Sequence, residues 1–352
     1  MQKTLLYLFI LLLFGGGVYY FIFYKKEAAF AESEAGFQIR DTASIGTIFL
    51  STPDGRRVLL NRTDSGWTLN KKYPALTQTV NILLETLLDQ QALYPTPSSA
   101  HNRIITQLAG TGIKVELYDR KGEKMRVFYV GNEVHDYEGT TMLMEGADRS
   151  FVVSLGQFIG LLYSRYNPDI DNWRSKMLIN VPEKDISKVA IEYPDAPLNS
   201  FTVNNDNGKI SVTADPGIIG THQMNERRVK LFLGFFENLV CEGHLNGMKG
   251  LDSIISTVPK KCAIDLVTKQ GLHQHLDIYW MPQTQRSKNI DTTRNLDIPK
   301  GYDIDRYYAV GNNFKDTLLI QQYTFDKVFR KAYEFYQEDP TVDVVGFEKK
   351  EK

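Results

Sequence analysis

Cysteine is scarce in this chain of 352 residues, which has only Cys241 and Cys262. Two thiols allow at most one internal disulfide, Cys241 with Cys262, so a disulfide-stapled scaffold is excluded and the core must carry the stability. An excess of charge is missing as well, with 41 basic residues against 42 acidic ones and a formal net charge of -1. That balance removes the positive field a nucleic-acid binder needs, and no nucleic-acid partner is expected. There is no phosphate loop, no G-x-G-x-x-G after a strand, no H-E-x-x-H and no G-x-S-x-G. We therefore expect no cofactor and no enzymatic activity. With 42% hydrophobic residues, the chain is globular in composition and long enough for two domains.

Charge is also absent from one long run, between Lys3 and Lys25. About 20 apolar residues rising 1.5 Å each cross a hydrocarbon layer of roughly 30 Å. Residues 4–24, which include Leu5, Phe14, Gly16, Tyr20 and Tyr24, supply that length, so a transmembrane anchor is expected. A secretory signal would break off after about 7 to 15 apolar residues at a small-residue cleavage site. Here Tyr19, Tyr20, Phe21, Phe23 and Tyr24 occupy that place, and Ala29-Phe30-Ala31 lies beyond Lys25 and Lys26. Retention is the expectation, with the tyrosines as an interfacial belt and Lys25 reaching into headgroups. Lys3 and the terminal amine roughly balance Lys25 and Lys26, but a short N-terminal tail ahead of a large body is expected to stay inside. The expectation is a single-pass protein of the inner (cytoplasmic) membrane with an extracytoplasmic, periplasmic body. Gly15-Gly16-Gly17 could let another helix approach closely, although a glycine run in a membrane helix more often signifies nothing specific.

Residues 25–42 read as a spacing stalk. Period-two alternation then begins: Ile48 and Leu50, the turn "TPDG" at Thr52 to Gly55, Val58 and Leu60, the turn "TDSG" at Thr63 to Gly66, and Trp67 to Leu69. A helix with Leu76, Val80, Leu83, Leu84, Leu87 and Leu88 on one face follows, ended by "YPTPSS" at Tyr94 to Ser99. After a loop or weak helix come the hairpins Ile113 to Tyr118 with Met125 to Val130, and Thr140 to Met144 with Ser150 to Ser154. A short helix, Leu155 to Tyr163, closes the set. The same order returns: a meander at Lys188 to Val212, a helix at Asn225 to Val240, the hairpin Cys262 to Trp280, then Arg306 to Val310, Thr317 to Gln321 and a helix from Phe325. The fold expected is α+β, two tandem copies of an antiparallel sheet unit in one two-lobed body. The first repeat covers 43–168, the second 183–340 and a polar tail 341–352.

This pattern resembles the bacterial family known as domain of unknown function 4340. The likeness is carried by the N-terminal anchor, "GRRVLLNRTDSGWTLN" from Gly55 to Asn70, the Leu-rich helix and "VELYDRKGEKMRVFYVGNE" from Val115 to Glu133. The resemblance implies a membrane-tethered envelope protein, in some cases encoded beside ABC transporter components of gliding-motility type. The family has no agreed catalytic residues, so none is carried over. The insertion Met281 to Asp305 is longer here than the matching loop of the first copy.

Candidate chemistry is thin. His273 and His275, with Asp277 next in line, fall on one face of a strand and are weak candidates for metal ligands; a solvated polar face accounts for them without a metal. Cys241, Glu242 and His244 form a C-x-x-H group with Cys262 close in sequence, but zinc wants four ligands and only three are offered. Cys241 and Cys262 could instead pair as a disulfide in the periplasm, or remain buried thiols. His135, Asp136 and Glu138 sit together on a loop with no nucleophile beside them. Tyr137, Tyr166, Tyr193, Tyr302 and Tyr307 fall in loops, a bias toward protein contacts. The expected function is a non-enzymatic accessory or scaffold subunit of a membrane assembly, such as an ABC-type export or surface machine. Its partners are other membrane or envelope proteins and the lipid bilayer. The alternative is a periplasmic module binding a lipid, glycan or peptide in a cleft between the repeats; a metal-dependent hydrolase using His273 and His275 is the third reading.

Overall fold

The structure, a computed structural model, describes residues 14–15, 31–134, 139–156, 161–206, 208–219, 223–246, 248–289, 298–311 and 316–336. Among these the protein is mixed α+β, with a nine-stranded and an eight-stranded antiparallel sheet. The chain divides into two compact units, Met1–Ser175 and Lys176–Lys352. Among the described residues no helix is long and apolar enough to cross a membrane. Of the expected anchor only Phe14 and Gly15 are described; Leu5, Gly16, Tyr20, Tyr24 and Lys25 lie outside the described residues, as do His135, Asp136, Tyr137, Glu138 and the tail 341–352.

In the first unit a helical turn, α1 (Glu32–Ala35), precedes β1 (Ile45–Ser51), β2 (Arg57–Thr63), β3 (Gly66–Leu69), β4 (Tyr73–Pro74) and helix α2 (Thr77–Asp89). Then come β5 (Gln91–Pro95), helix α3 (His101–Thr111), β6 (Ile113–Asp119), β7 (Lys124–Val134), β8 (Thr140–Met144) and β9 (Phe151–Ser154). The sheet order is β4-β3-β2-β1-β6-β7-β8-β9-β5. Side chains alternate along a strand, so Ile48, Leu50, Val58, Leu60, Val115, Leu117, Phe128 and Val130 share one face, and all are fully buried. Helix α2 lies on that face through Val80, Leu83 and Leu87. Its buried stripe is narrower than the leucine spacing predicts. Leu88 is exposed, while Thr86 is buried, its hydroxyl donating to the Ile82 carbonyl at 2.7 Å and accepting from Arg165 at 3.1 Å.

The segment expected to be a loose stalk is fastened to this unit from Glu32 onward. Phe37 and Ile39 are core residues, and Phe37 packs edge-on against Phe128 at 5.8 Å and Phe151 at 6.4 Å. The Arg126 guanidinium holds Glu32 and donates to the Gly36 carbonyl at 3.2 Å, while Arg149 lies 3.6 Å from Glu34. Gln90, fully buried just past α2, donates to the Phe37 carbonyl at 2.7 Å and accepts from the Tyr166 hydroxyl at 2.6 Å. Burial holds the Tyr166 phenol well above its usual range, so it is a neutral donor.

The stretch that reads as a loop or weak helix is α3, which covers the other sheet face with Ile104 and Leu108. It needs Gly131: a side chain there would meet the Thr141 carbonyl at 2.9 Å and Leu108 at 3.4 Å. Part of the helix expected at Leu155 to Tyr163 lies outside the described residues, and Leu162–Tyr166 forms a tight 3-10 turn.

The second unit holds β10 (Met177–Ile179), β11 (Ile186–Glu192), β12 (Phe201–Asp206), β13 (Lys209–Ala214), helix α4 (Glu226–Gly234), β14 (Leu239–Val240) and β15 (Gly243–His244). Helix α5 (Leu251–Thr257), β16 (Lys260–Thr268), β17 (His273–Pro282), β18 (Tyr302–Gly311) and β19 (Thr317–Gln321) complete it. The large sheet runs β13-β12-β11-β16-β17-β18-β19-β15, and β10 pairs with β14 apart from it. The helix expected over Asn225 to Val240 starts as predicted, Asn225 capping the Arg228 amide at 3.2 Å. The α-helix ends at Gly234 and gives way to a 3-10 turn and to β14, so the last third of the expected range is not α-helical. The helix expected from Phe325 is also broken, into the turns Gln322–Phe325 and Ala332–Phe335. Phe232 is the hub of the core, with ring centroids 5.4 Å from Phe201, 5.4 Å from Phe236 and 5.3 Å from Phe335.

Candidate functional site

The hairpin β16–β17 aligns Asp265 with His275 and Val267 with His273, so one face of the sheet collects the polar side chains of both strands. The facing residues Leu276 and Ile278 are buried, which leaves His273, His275, Asp277 and Tyr279 on the outer side. His273 Nε2 and His275 Nδ1 both lie 2.8 Å from the same Asp265 Oδ1. The other nitrogen of His275 lies 3.1 Å from Asp277 Oδ1, which also receives Lys260 Nζ at 2.7 Å. The result is a row in which basic and acidic side chains alternate, with His275 set between two carboxylates.

That setting favours the imidazolium. Burial works against charge on His275 and is the largest single influence, but hydrogen bonding to Asp265 and the attraction of Asp265 and Asp277 outweigh it and raise its pKa above 6.5. Burial likewise pushes Asp265 up, yet the hydrogen bonds from His275 and His273 prevail and hold it below 3.8. A base raised by its partners stabilises the fold fully below its unfolded pKa and loses that contribution as pH rises through its folded one. A depressed acid does the reverse, stabilising above 3.8 and failing as pH falls through its lowered value. The row is therefore strongest between 3.8 and 6.5. We expect stability to fall by about 0.2–1 kcal/mol between about pH 5.5 and about pH 8.5, and His275→Gln to flatten that slope. Thermal melts across that range check it; an unchanged slope in the variant would remove His275 as the cause.

Among the described residues, no group of three or more His, Cys, Asp or Glu side chains is placed to hold a metal ion. Both ring nitrogens of His275 and one of His273 are directed at carboxylates. Cys241 and Cys262 are both buried and are not joined in the disulfide that the sequence allows. Cys241 Sγ lies 4.0 Å from His244 Nδ1, so the C-x-x-H pair does meet. Burial pushes the Cys262 thiol up to about 12, which makes it inert at neutral pH.

Three features of the second unit escaped sequence reasoning. A slip in the β16–β17 register between Lys260 and Cys262 sends Lys260 to Asp277, while Lys261 sits over the rings of Trp280 at 4.3 Å, Phe329 at 4.8 Å and Tyr307 at 5.2 Å. Glu242 takes both prongs of the Arg306 guanidinium, one at 2.6 Å, and this hydrogen bonding holds its carboxyl down against the upward push of burial. Asp303, fully buried in the long insertion, accepts the amides of Asp305 at 2.9 Å and Arg306 at 3.1 Å. Counting the hairpin register outward from its Lys269–Gly271 turn would have placed Asp265 against His275; the slip leaves no mark in the sequence. Of the tyrosines expected in loops, Tyr302 and Tyr307 instead lie on β18, where sheet pairing fixes them. Tyr166, Tyr307 and, on its hydroxyl's bond to the Arg330 carbonyl at 2.8 Å, Tyr193 are used inside their own units.

No protein-family model, no curated protein and no solved structure matches the chain.

Proposed function

We propose that the chain is a non-enzymatic, single-pass membrane protein whose body serves as an accessory or scaffold subunit of an envelope assembly. The observation that carries this reading is the uncharged run of residues 4–24, closed by an aromatic belt and Lys25, ahead of a body rich in antiparallel sheet. The polar row on β16 and β17 supports a binding role over a catalytic one, because its nitrogens and carboxylates are engaged with one another. The likeness to domain of unknown function 4340 rests on the quoted stretches alone and points the same way. Held at a membrane, such a body would meet membrane partners at a raised effective concentration.

We also propose that the two units are tandem copies. Both use the order third-second-first strand, then the long hairpin, then the closing hairpin, and in both a strand after the first helix joins the far edge: β5 on β9, β15 on β19. The register slips between Ile45 and Thr47 on β1 and between Ile186 and Lys188 on β11, the same place in the strand that opens each meander. A helix precedes the long hairpin in each, α3 and α5.

Chemical cross-linking in intact cells, followed by purification in mild detergent, tests the scaffold reading. A membrane protein should be recovered in stoichiometric amount, and deletion of residues 1–30 should abolish it. A clean monomer under gentle conditions, or capture independent of the anchor, would overturn the reading.

A further inference from the structure

The inference rests on the membrane-anchor reading and adds where the body meets the bilayer. The expected span ends at Tyr24, and the described body begins at Ala31. Seven residue steps reach at most about 25 Å at full extension. The leash cannot be longer, because the chain is fastened directly after it: Glu32 to Arg126, Glu34 to Arg149, and Phe37 into the core.

These fastenings sit at one end of the first sheet. Strand β1 begins there, and so do the turn between β6 and β7 at Arg120–Glu123 and the turn between β8 and β9 that carries Glu145, Asp148 and Arg149. The turn between β1 and β2 lies at the opposite end, with the seven residues of β1 between. At about 3.3 Å per residue that separation is about 23 Å, close to the whole reach of the leash. Among the described residues the near end exposes charge of both signs, Lys121, Lys124 and Arg149 with Glu145 and Asp148, and no large apolar side chain. Such a surface suits phospholipid headgroups, which present a phosphate and often a cation at the same level.

We infer that the end of the first unit bearing α1, the Lys121 turn and the Arg149 turn rests against lipid headgroups, with the turn between β1 and β2 directed away from them. The near end then forms a polar interface with the membrane.

The full chain, reconstituted in phosphatidylcholine vesicles carrying a headgroup nitroxide, tests this. A fluorophore is attached through Lys121→Cys, Asp148→Cys or Arg57→Cys, one at a time; the native thiols are buried, so labelling goes to the introduced cysteine. Quenching should be several-fold stronger at the two near positions than at Arg57→Cys. Equal quenching at all three, or stronger quenching at Arg57→Cys, would overturn the inference while leaving the anchor intact. Release of the protein by alkaline carbonate would instead overturn the anchor reading, and the inference with it.

Discussion

Replacing Gln90 with methionine is expected to destabilise the first unit by about 2–4 kcal/mol. Methionine keeps the volume, so the loss is polar: the Phe37 carbonyl loses its donor and the buried Tyr166 hydroxyl loses its acceptor. Each buried group left unsatisfied costs about 1–3 kcal/mol, whereas removing both partners together is far cheaper. Tyr166→Phe in the Gln90→Met background should therefore recover about 1–3 kcal/mol, although alone it is destabilising because it orphans the Gln90 oxygen. Denaturant unfolding reports this through Trp67 and Trp173, which belong to the first unit, once Trp280 is replaced by phenylalanine. If the double variant is as unstable as the sum of the single ones, the Tyr166–Gln90 hydrogen bond is not what couples these segments.

Phe232→Ala should cost the second unit about 3–5 kcal/mol, the range for an aromatic lost from a core that cannot collapse around the hole. Edge-on contact with Phe201, Phe236 and Phe335 adds to the loss, since each such pair is worth about 0.5–1.5 kcal/mol beyond area. Against a total stability of about 5–15 kcal/mol, this is a large fraction of what keeps the unit folded. Phe232→Leu keeps most of the volume and should cost less than half as much. The transition is read through Trp280, with Trp67 and Trp173 left in the other unit as an internal reference. Equal effects of alanine and leucine would show that the rings beside Phe232 close the gap.

Both residues show what the sequence discloses and what it hides. The strands were legible because burial on one face forces alternation: Ile48 with Leu50, Val115 with Leu117, and Ile264 with Leu266 all stand where period two puts them. The pairing of the hairpins followed from their turns. Helix α5 was hidden because its sequence, Leu-Asp-Ser-Ile-Ile-Ser-Thr, is rich in residues that favour caps and turns, and only Leu251 is buried. The role of Gln90 was equally invisible. A glutamine after a leucine stripe reads as a helix end, and its two partners lie 53 and 76 residues away. At the His273–His275 row the side of the strand was legible, and the shared Asp265 oxygen was not, because it depends on the pairing of a second strand.

The fastening of residues 32–42 also fixes where the body can be cut from its tether. Read from the sequence, any bond up to Thr42 looks dispensable. Cleavage after Arg40 would instead strip Phe37 from between Phe128 and Phe151, leave Gln90 without its carbonyl and free Arg126 from Gly36. Proteolytic shedding that yields an intact body must therefore act on the N-terminal side of Glu32, and a fragment beginning at residue 43 carries its own wound.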